Sequence, residues 1–290
     1  MDRVLRDMIN RYECKTVDDY QNALKEIIQD IALLGLWRAK FFEHAAFYGG
    51  TALRTLYNLN RFSEDLDFML LKMNSEFQLK PYQNALQTEL AAFGLTVTVT
   101  EKKKTKESAI RSAFLKANTK EHVIRVGAPK GVVTAFQLGE AIKIKLEIDT
   151  DPCSGFVTET RNLINPVPFW VRTLSRPSLF SGKMHAVICR GWGKRVKGRD
   201  WYDMLWFIQR GTPLDLEFLE RKMRQTGHLP EPEILTQKRL LEMLHARIEE
   251  LDVAEAKEDV IRFIQQPQWL DGWSTETFRV ATNKIIFKKT

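Results

Sequence analysis

Two aspartates, Asp65 and Asp67, stand two residues apart at the start of a run, Leu66 to Leu71, that is otherwise apolar. On a strand, residues i and i+2 share a face, so both carboxylates project together while Leu66, Phe68 and Leu70 turn to the core. Carboxylates that close repel, and raise each other's pKa, unless a cation stands between them. Oxygen donors of this kind suit Mg²⁺ held partly by substrate phosphates. Upstream, Gly49 and Gly50 form a turn between a short apolar strand, Ala45 to Tyr48, and a helical stretch, Thr51 to Tyr57. Glycines there let a ligand approach the backbone, a helix N-terminus offers N–H groups to an anion, and Thr51 adds a hydroxyl. A phosphate cradle facing a carboxylate pair is the arrangement that metal-assisted phosphoryl or nucleotidyl transfer requires.

The elements that must position these groups are read from apolar spacing. Residues 16–37 predict an amphipathic helix capped by Thr16, with Tyr20, Leu24, Ile27, Ile31 and Leu34 on one stripe. Pro81 to Phe93 reads as a helix, Leu95 to Thr100 as a strand, and the "EKKKTKES" that follows as a solvated loop. Residues 108–140 fit strand or helix equally. "EAIKIKLEIDT" is a half-buried strand: Ile142, Ile144, Leu146 and Ile148 face one way, Lys143, Lys145, Glu147 and Asp149 the other. Pro166 to Leu174 is a further strand or an extended linker. From Ser178 onward, helical stretches alternate with Gly and Pro punctuation. The order predicts an α+β domain over residues 1–175 and a helical domain over 176–290.

Composition sets bounds. The chain has 290 residues, 44% of them hydrophobic, a formal charge of +7 and a pI near 9.2. A large core is therefore expected, and the basic balance favours anionic partners such as nucleic acid or nucleotides. No apolar run reaches membrane-spanning length and the N-terminus does not read as a signal segment. Cys14, Cys153 and Cys189 are far apart, which predicts a reducing, cytoplasmic setting without disulfides. The five histidines, His44, His122, His185, His228 and His245, show no metal spacing in sequence. The segment "CRGWGKRVKGR" places Arg190, Lys194, Arg195 and Lys197 around Trp192, a pattern suited to an RNA backbone and a stacked base. Lys102, Lys103, Lys104 and Lys106 form a second basic run.

"GGTALRTLYNLNRFSEDLDF" resembles the first motif of the AbiEii-type nucleotidyltransferase toxins, the toxin halves of bacterial AbiE-like toxin–antitoxin systems and relatives of the mycobacterial MenT toxins. That family lies in the polymerase-β-like nucleotidyltransferase superfamily, whose signature is a pair of small residues, a short helix, then D-x-D or D-x-E. Here the gap from Gly50 to Asp65 is longer than usual, and the AbiEii-like branch adds the R-x-S-x-D-x-D form seen as Arg61, Ser63, Asp65 and Asp67. Downstream, "SLFSGKMHAVICRGWGKRVKGRDWYDMLWFI" looks like the later motifs, which fall on Lys183, Arg199, Asp200 and Asp203. The resemblance covers residues 45–75 and 140–208.

The resemblance implies a polymerase-β-like domain with a mixed sheet, followed by a helical domain that contributes Lys and Asp to the active site. It implies Asp65 and Asp67 as Mg²⁺ ligands that position an NTP. Gly49, Gly50, Thr51, Arg61, Ser63 and Lys183 are then nucleotide-binding, with Lys183 neutralising the triphosphate as pyrophosphate leaves. A third acid lies on the "IKIKLEID" strand, with Glu147 preferred to Asp149, and Asp200 is preferred to Asp203 as an active-site group. The implied function is a toxin that moves NMP from NTP to an RNA 3′ end, tRNA above all, blocking translation, with a cognate antitoxin as partner. Two alternatives use the same residues: a kinase-like or NTP-binding toxin with a protein or small-molecule acceptor, and a silent module that binds RNA or antitoxin.

Overall fold

The protein is described by a computed structural model covering residues 2–101, 109–137, 139–191 and 196–289. Among these residues the helices are α1 Asp2–Asn10, α2 Val17–Arg38, α3 Gly49–Tyr57, α4 Lys80–Ala92, α5 Thr119–Arg125, α6 Lys130–Ala135, α7 Arg176–Cys189, α8 Gly198–Gln209, α9 Leu216–Gln225, α10 Gln237–Glu249, α11 Val253–Ile261 and α12 Thr275–Thr282. The strands are β1 Ala45–Tyr48, β2 Leu66–Leu70, β3 Val97–Glu101, β4 Ile110–Asn118, β5 Ala141–Asp149, β6 Thr158–Leu163 and β7 Phe169–Leu174. No helix among the described residues is long and apolar enough to cross a membrane.

The chain divides into two compact units. The first holds residues 1–57, 63–152 and 160–173; the second holds 58–62, 153–159 and 174–290. Two short segments embedded in the first unit's sequence thus belong to the second.

In the first unit, the seven strands form one mixed sheet in the order β3-β4-β5-β2-β1-β7-β6. β2 sits at its centre, antiparallel to β1 and parallel to β5. Its even residues build the core: Phe68 stacks on Phe47 of β1 at 5.1 Å between centroids and meets Phe41 edge-on at 5.0 Å. Ile142, Ile144, Leu146 and Ile148 of β5 are buried on the same side, while the alternate residues are partly or fully exposed. α2 covers this core because its apolar stripe is long and its start is fixed. The Thr16 hydroxyl accepts from the Asp19 N–H at 3.1 Å, and the Asp19 carboxylate accepts from the Thr16 N–H at 2.8 Å.

The second unit is helical. Phe180 of α7 stacks on Phe207 of α8 at 4.8 Å, and Trp201 of α8 meets Phe278 of α12 edge-on at 5.1 Å. The inserted segment 58–62 enters this core through Leu59 and Phe62, both buried, and Arg61 forms an antiparallel bridge with Ile264. The Phe62 N–H donates to the Phe263 carbonyl at 2.7 Å.

Several local expectations are revised. Gly49 and Gly50 do not form a turn before the helix; they are its first residues. Residues 108–140 resolve into β4, α5 and α6, and β6 is an additional strand. The "EKKKTKES" loop falls almost wholly outside the described residues.

Candidate active site

The candidate carboxylates of the first unit stand on and beside β2 and β5. Asp65 directly precedes β2 and Asp67 lies within it. In the parallel register Asp67 stands beside Glu147, whereas Asp149 stands beside Met69, two residues further along. Parallel neighbours at one register point to the same side, so the side chains of Asp67 and Glu147 emerge together from adjacent strands about 4.8 Å apart. Glu147 is oriented by two neighbours that the sequence reading did not single out for this role. Lys145 pairs with it at 2.8 Å, and the Ser112 hydroxyl of β4 donates to it at 3.3 Å.

Gly49 makes room for Asp67. Its φ is +83°, and a Cβ built there would meet Asp67 Oδ2 at 2.3 Å and the Asp67 Cβ and Cγ at 3.1 Å. The Asp67 carboxylate therefore lies against bare backbone at the first residue of α3, in a space that any side chain would fill. Only glycine adopts that backbone freely. Thr51 has a different part from the one expected. It is fully buried, and its hydroxyl donates to the Asp65 carbonyl oxygen. It fixes the backbone that carries Asp65 and is not presented to a ligand. Ser63, part-buried, has its carbonyl held by the Gln29 side chain at 3.1 Å.

These donors fit a hard divalent cation. Asp65 and Asp67 offer carboxylate oxygens and no nitrogen or sulfur, the donor type Mg²⁺ prefers when it shares its shell with phosphates.

The second unit carries a buried charge cluster. Arg61 reaches Asp203 of α8 with two parallel bonds, Nε to Oδ1 at 2.7 Å and Nη2 to Oδ2 at 2.6 Å. Both side chains are almost wholly excluded from solvent, at 2% and 0% exposure. Arg61, expected to bind nucleotide, is thus a structural tether for the segment 58–62. Lys183 of α7 pairs with Asp203 at 2.7 Å and lies 3.5 Å from Asp200. Arg190 closes the group on Asp200 at 2.6 Å. Burial opposes ionisation of Asp203, but Arg61 and Lys183 outweigh it and hold its carboxyl below the usual carboxylate range. Burial likewise opposes the charge on Arg61, and Asp203 restores it.

Arg199 pairs with Asp259 of α11 at 3.5 Å and lies over the Phe263 ring at 4.3 Å. Gly198, the first residue of α8, is pressed against α11: an added Cβ would stand 1.9 Å from the Ala256 carbonyl oxygen. Of the basic segment, Arg190 is half exposed and its carbonyl accepts from Arg247 at 2.9 Å, while Lys197 precedes α8 and is part-buried. Lys194, Arg195 and Trp192 lie outside the described residues, as do Lys102, Lys103, Lys104 and Lys106.

No curated protein matches the chain. Among solved structures, a chain from H. pylori classed as a nucleotidyltransferase is 19% identical, with a TM-score of 0.50, over 90% of this chain and 91% of its own. JHP933 from Helicobacter pylori is 17% identical, with a TM-score of 0.47 over 91% and 90%. An antigenic nucleotidyltransferase-like protein from Paracoccidioides brasiliensis is 14% identical, with a TM-score of 0.45 over 91% and 94%. At such identities the first of these speaks for a nucleotidyltransferase-like fold and no more. The family model described as nucleotidyl transferase AbiEii toxin, Type IV TA system, matches residues 31–277. With a model of that extent matched, the chain belongs to the AbiEii nucleotidyltransferase toxin family of Type IV toxin–antitoxin systems.

Proposed function

We propose that this chain transfers a nucleoside monophosphate from an NTP to the 3′ end of an RNA, with tRNA as the acceptor, and that loss of usable acceptor ends blocks translation. The observation that carries the reading is the Asp67 carboxylate seated against Gly49 and beside Glu147. That placement sets a carboxylate at the start of a helix, where backbone N–H groups favour phosphate, with a second on the neighbouring strand.

In this reading Asp65 and Asp67 would hold Mg²⁺, which when bound supplies charge neutralisation at the α-phosphate. The chain's own residues do the rest. Thr51 holds the Asp65 backbone in place, and Lys145 and Ser112 hold Glu147. Glu147, rather than Asp149, is assigned as the third acid because it is the one in register with Asp67. It would draw the proton from the acceptor hydroxyl. Lys183 is assigned to the triphosphate on the family resemblance; Asp200 and Asp203 fix its ammonium, so its charge is already oriented before substrate arrives. Arg190 and Lys197 are assigned to the RNA backbone, with Lys194 and Arg195 of the same segment. A cognate antitoxin is the expected protein partner.

The test is incubation of the protein with Mg²⁺, total tRNA and each labelled NTP in turn. Label should enter the tRNA band with one NTP and be absent with Asp67→Ala. Label on protein or on a small molecule would replace the RNA acceptor with another. Growth arrest by Asp67→Ala equal to that of wild type would sink the enzymatic reading altogether.

A further inference from the structure

Helix α7 and the end of α9 bring three metal-ligating side chains together in the helical unit. His185 and Cys189 are four residues apart on α7 and so share a face. His228 is delivered by the turn that ends α9. Gly227 takes φ +72°, its N–H donates to the Arg224 carbonyl at 3.0 Å, and the His228 N–H donates to the Met223 carbonyl at 2.8 Å. This paired bonding reverses the chain at a left-handed glycine and swings His228 back toward α7. One donor atom from each of His185, Cys189 and His228 then lies within 4.8 Å of the other two.

We infer that His185, Cys189 and His228 form a binding site for a zinc-class transition-metal dication, separate in chemistry from the carboxylates of β2 and β5. Two imidazoles and one thiol are the borderline and soft donors such ions select, and hard ions such as Mg²⁺ are poorly served by them. Bond lengths of about 2.0–2.3 Å set neighbouring donors of a tetrahedral site roughly 3.5 Å apart, so the cluster closes on an ion by shifts of about 1 Å or less. Thr226 organises the two rings. Its hydroxyl lies 2.9 Å from a nitrogen of His185 and 2.9 Å from a nitrogen of His228. With its own proton donated to the Lys222 or Met223 carbonyl, at 3.0 and 3.2 Å, its oxygen can accept from both rings. Donation of the His185 Nε2 and His228 Nδ1 protons to it would leave His185 Nδ1 and His228 Nε2 to take the ion, with Thr226 as the outer partner of both rings.

The protonation states are compatible with binding. Burial, then Lys222, His228 and Arg190, hold the His185 imidazole down to about 3, so its lone pair is available at neutral pH. Burial pushes the Cys189 thiol up to about 11, with Arg247 opposing. Binding must therefore break the S–H bond, release the proton to solvent and form the metal–thiolate bond. Cationic Lys222 and Arg190 act against a second positive charge, and the thiolate offsets part of this. The bound ion would clip α7, the helix that carries Lys183, to the end of α9, which makes its role structural.

The test is titration of metal-free, full-length protein with Co²⁺. The expected result is one equivalent bound, with a thiolate-to-cobalt charge-transfer band in the near ultraviolet, tetrahedral visible bands and displacement by Zn²⁺. Cys189→Ser should abolish the charge-transfer band. His228→Ala, at an exposed position, should keep the native circular dichroism and weaken Co²⁺ by at least about tenfold. A band that survives Cys189→Ser, which would assign it to Cys14 or Cys153, overturns the inference. So does the absence of a thiolate band in the wild type, or unchanged affinity in His228→Ala. Should Cys189→Ser misfold, His228→Ala carries the test alone.

Discussion

Replacing Gly49 with alanine perturbs one contact whose size can be worked out. The new Cβ would stand 2.3 Å from Asp67 Oδ2, whereas ordinary contact begins at 3.4 Å, so the carboxylate must retreat by about 1 Å. A displacement of about 1 Å in an aligned site can cost on the order of 10²-fold in rate. A second cost falls on stability. At φ +83° an L-residue bears strain of about 1–2 kcal/mol, which at about 2–4 °C per kcal/mol lowers Tm by roughly 2–8 °C. The assay is nucleotide transfer at saturating NTP, read beside a thermal melt. Gly49→Ala should keep a native fold, melt a few degrees lower and lose most of its transfer, approaching Asp67→Ala. Near wild-type transfer with an unchanged melt would refute the reasoning, because Asp67 would then not be held against the α3 backbone.

Asp203→Asn should lower the urea midpoint by the equivalent of about 3–5 kcal/mol, since Arg61 and Lys183 lose the carboxylate that neutralises them where solvent does not reach. Because the folded carboxyl lies below its unfolded value, that contribution is complete above the ordinary carboxylate range and fades as pH falls through the folded pKa, so the gap between the two proteins should narrow in acid. Asp30 behaves oppositely: burial, then Glu26, raise its carboxyl to about 8 against the pull of Arg54. Asp30→Asn should therefore gain Tm over wild type as pH rises from about 4 to 8, with no gain below that window. Gly182→Ala, with nothing within 4 Å of the added Cβ, should stabilise α7 by about 0.5–1 kcal/mol, whereas Gly198→Ala should destabilise markedly against the Ala256 carbonyl.

Strands with one buried and one polar face were legible, as β2 and β5 show: their alternation pointed to the side on which Asp67 and Glu147 emerge. The capped start of α2 was legible for the same local reason. β6 was not, because "TETRNL" has no buried face to betray it and the strand exists through its edge position beside β7. Thr51 looked like a ligand hydroxyl because sequence cannot show that the Asp65 carbonyl lies within its reach. Arg61 looked like a phosphate ligand for a similar reason: its partner, Asp203, is 142 residues away. The His185, Cys189 and His228 cluster was missed: His185 and Cys189 are one helical turn apart, a spacing too common to stand out, and the third donor comes from a turn no short window connects to it.

The assignment of segments 58–62 and 153–159 to the helical unit bears on how this architecture can be inherited. The chain changes unit at 57/58, 62/63, 152/153, 159/160 and 173/174. A single cut in the gene cannot separate the two units, and a truncation at residue 173 would strand Leu59, Arg61 and Phe62 without the partners that bury them. The helical unit is therefore no contiguous cassette: exchanging residues 174–290 alone would leave behind 58–62 and 153–159, the first of which leads into Asp65.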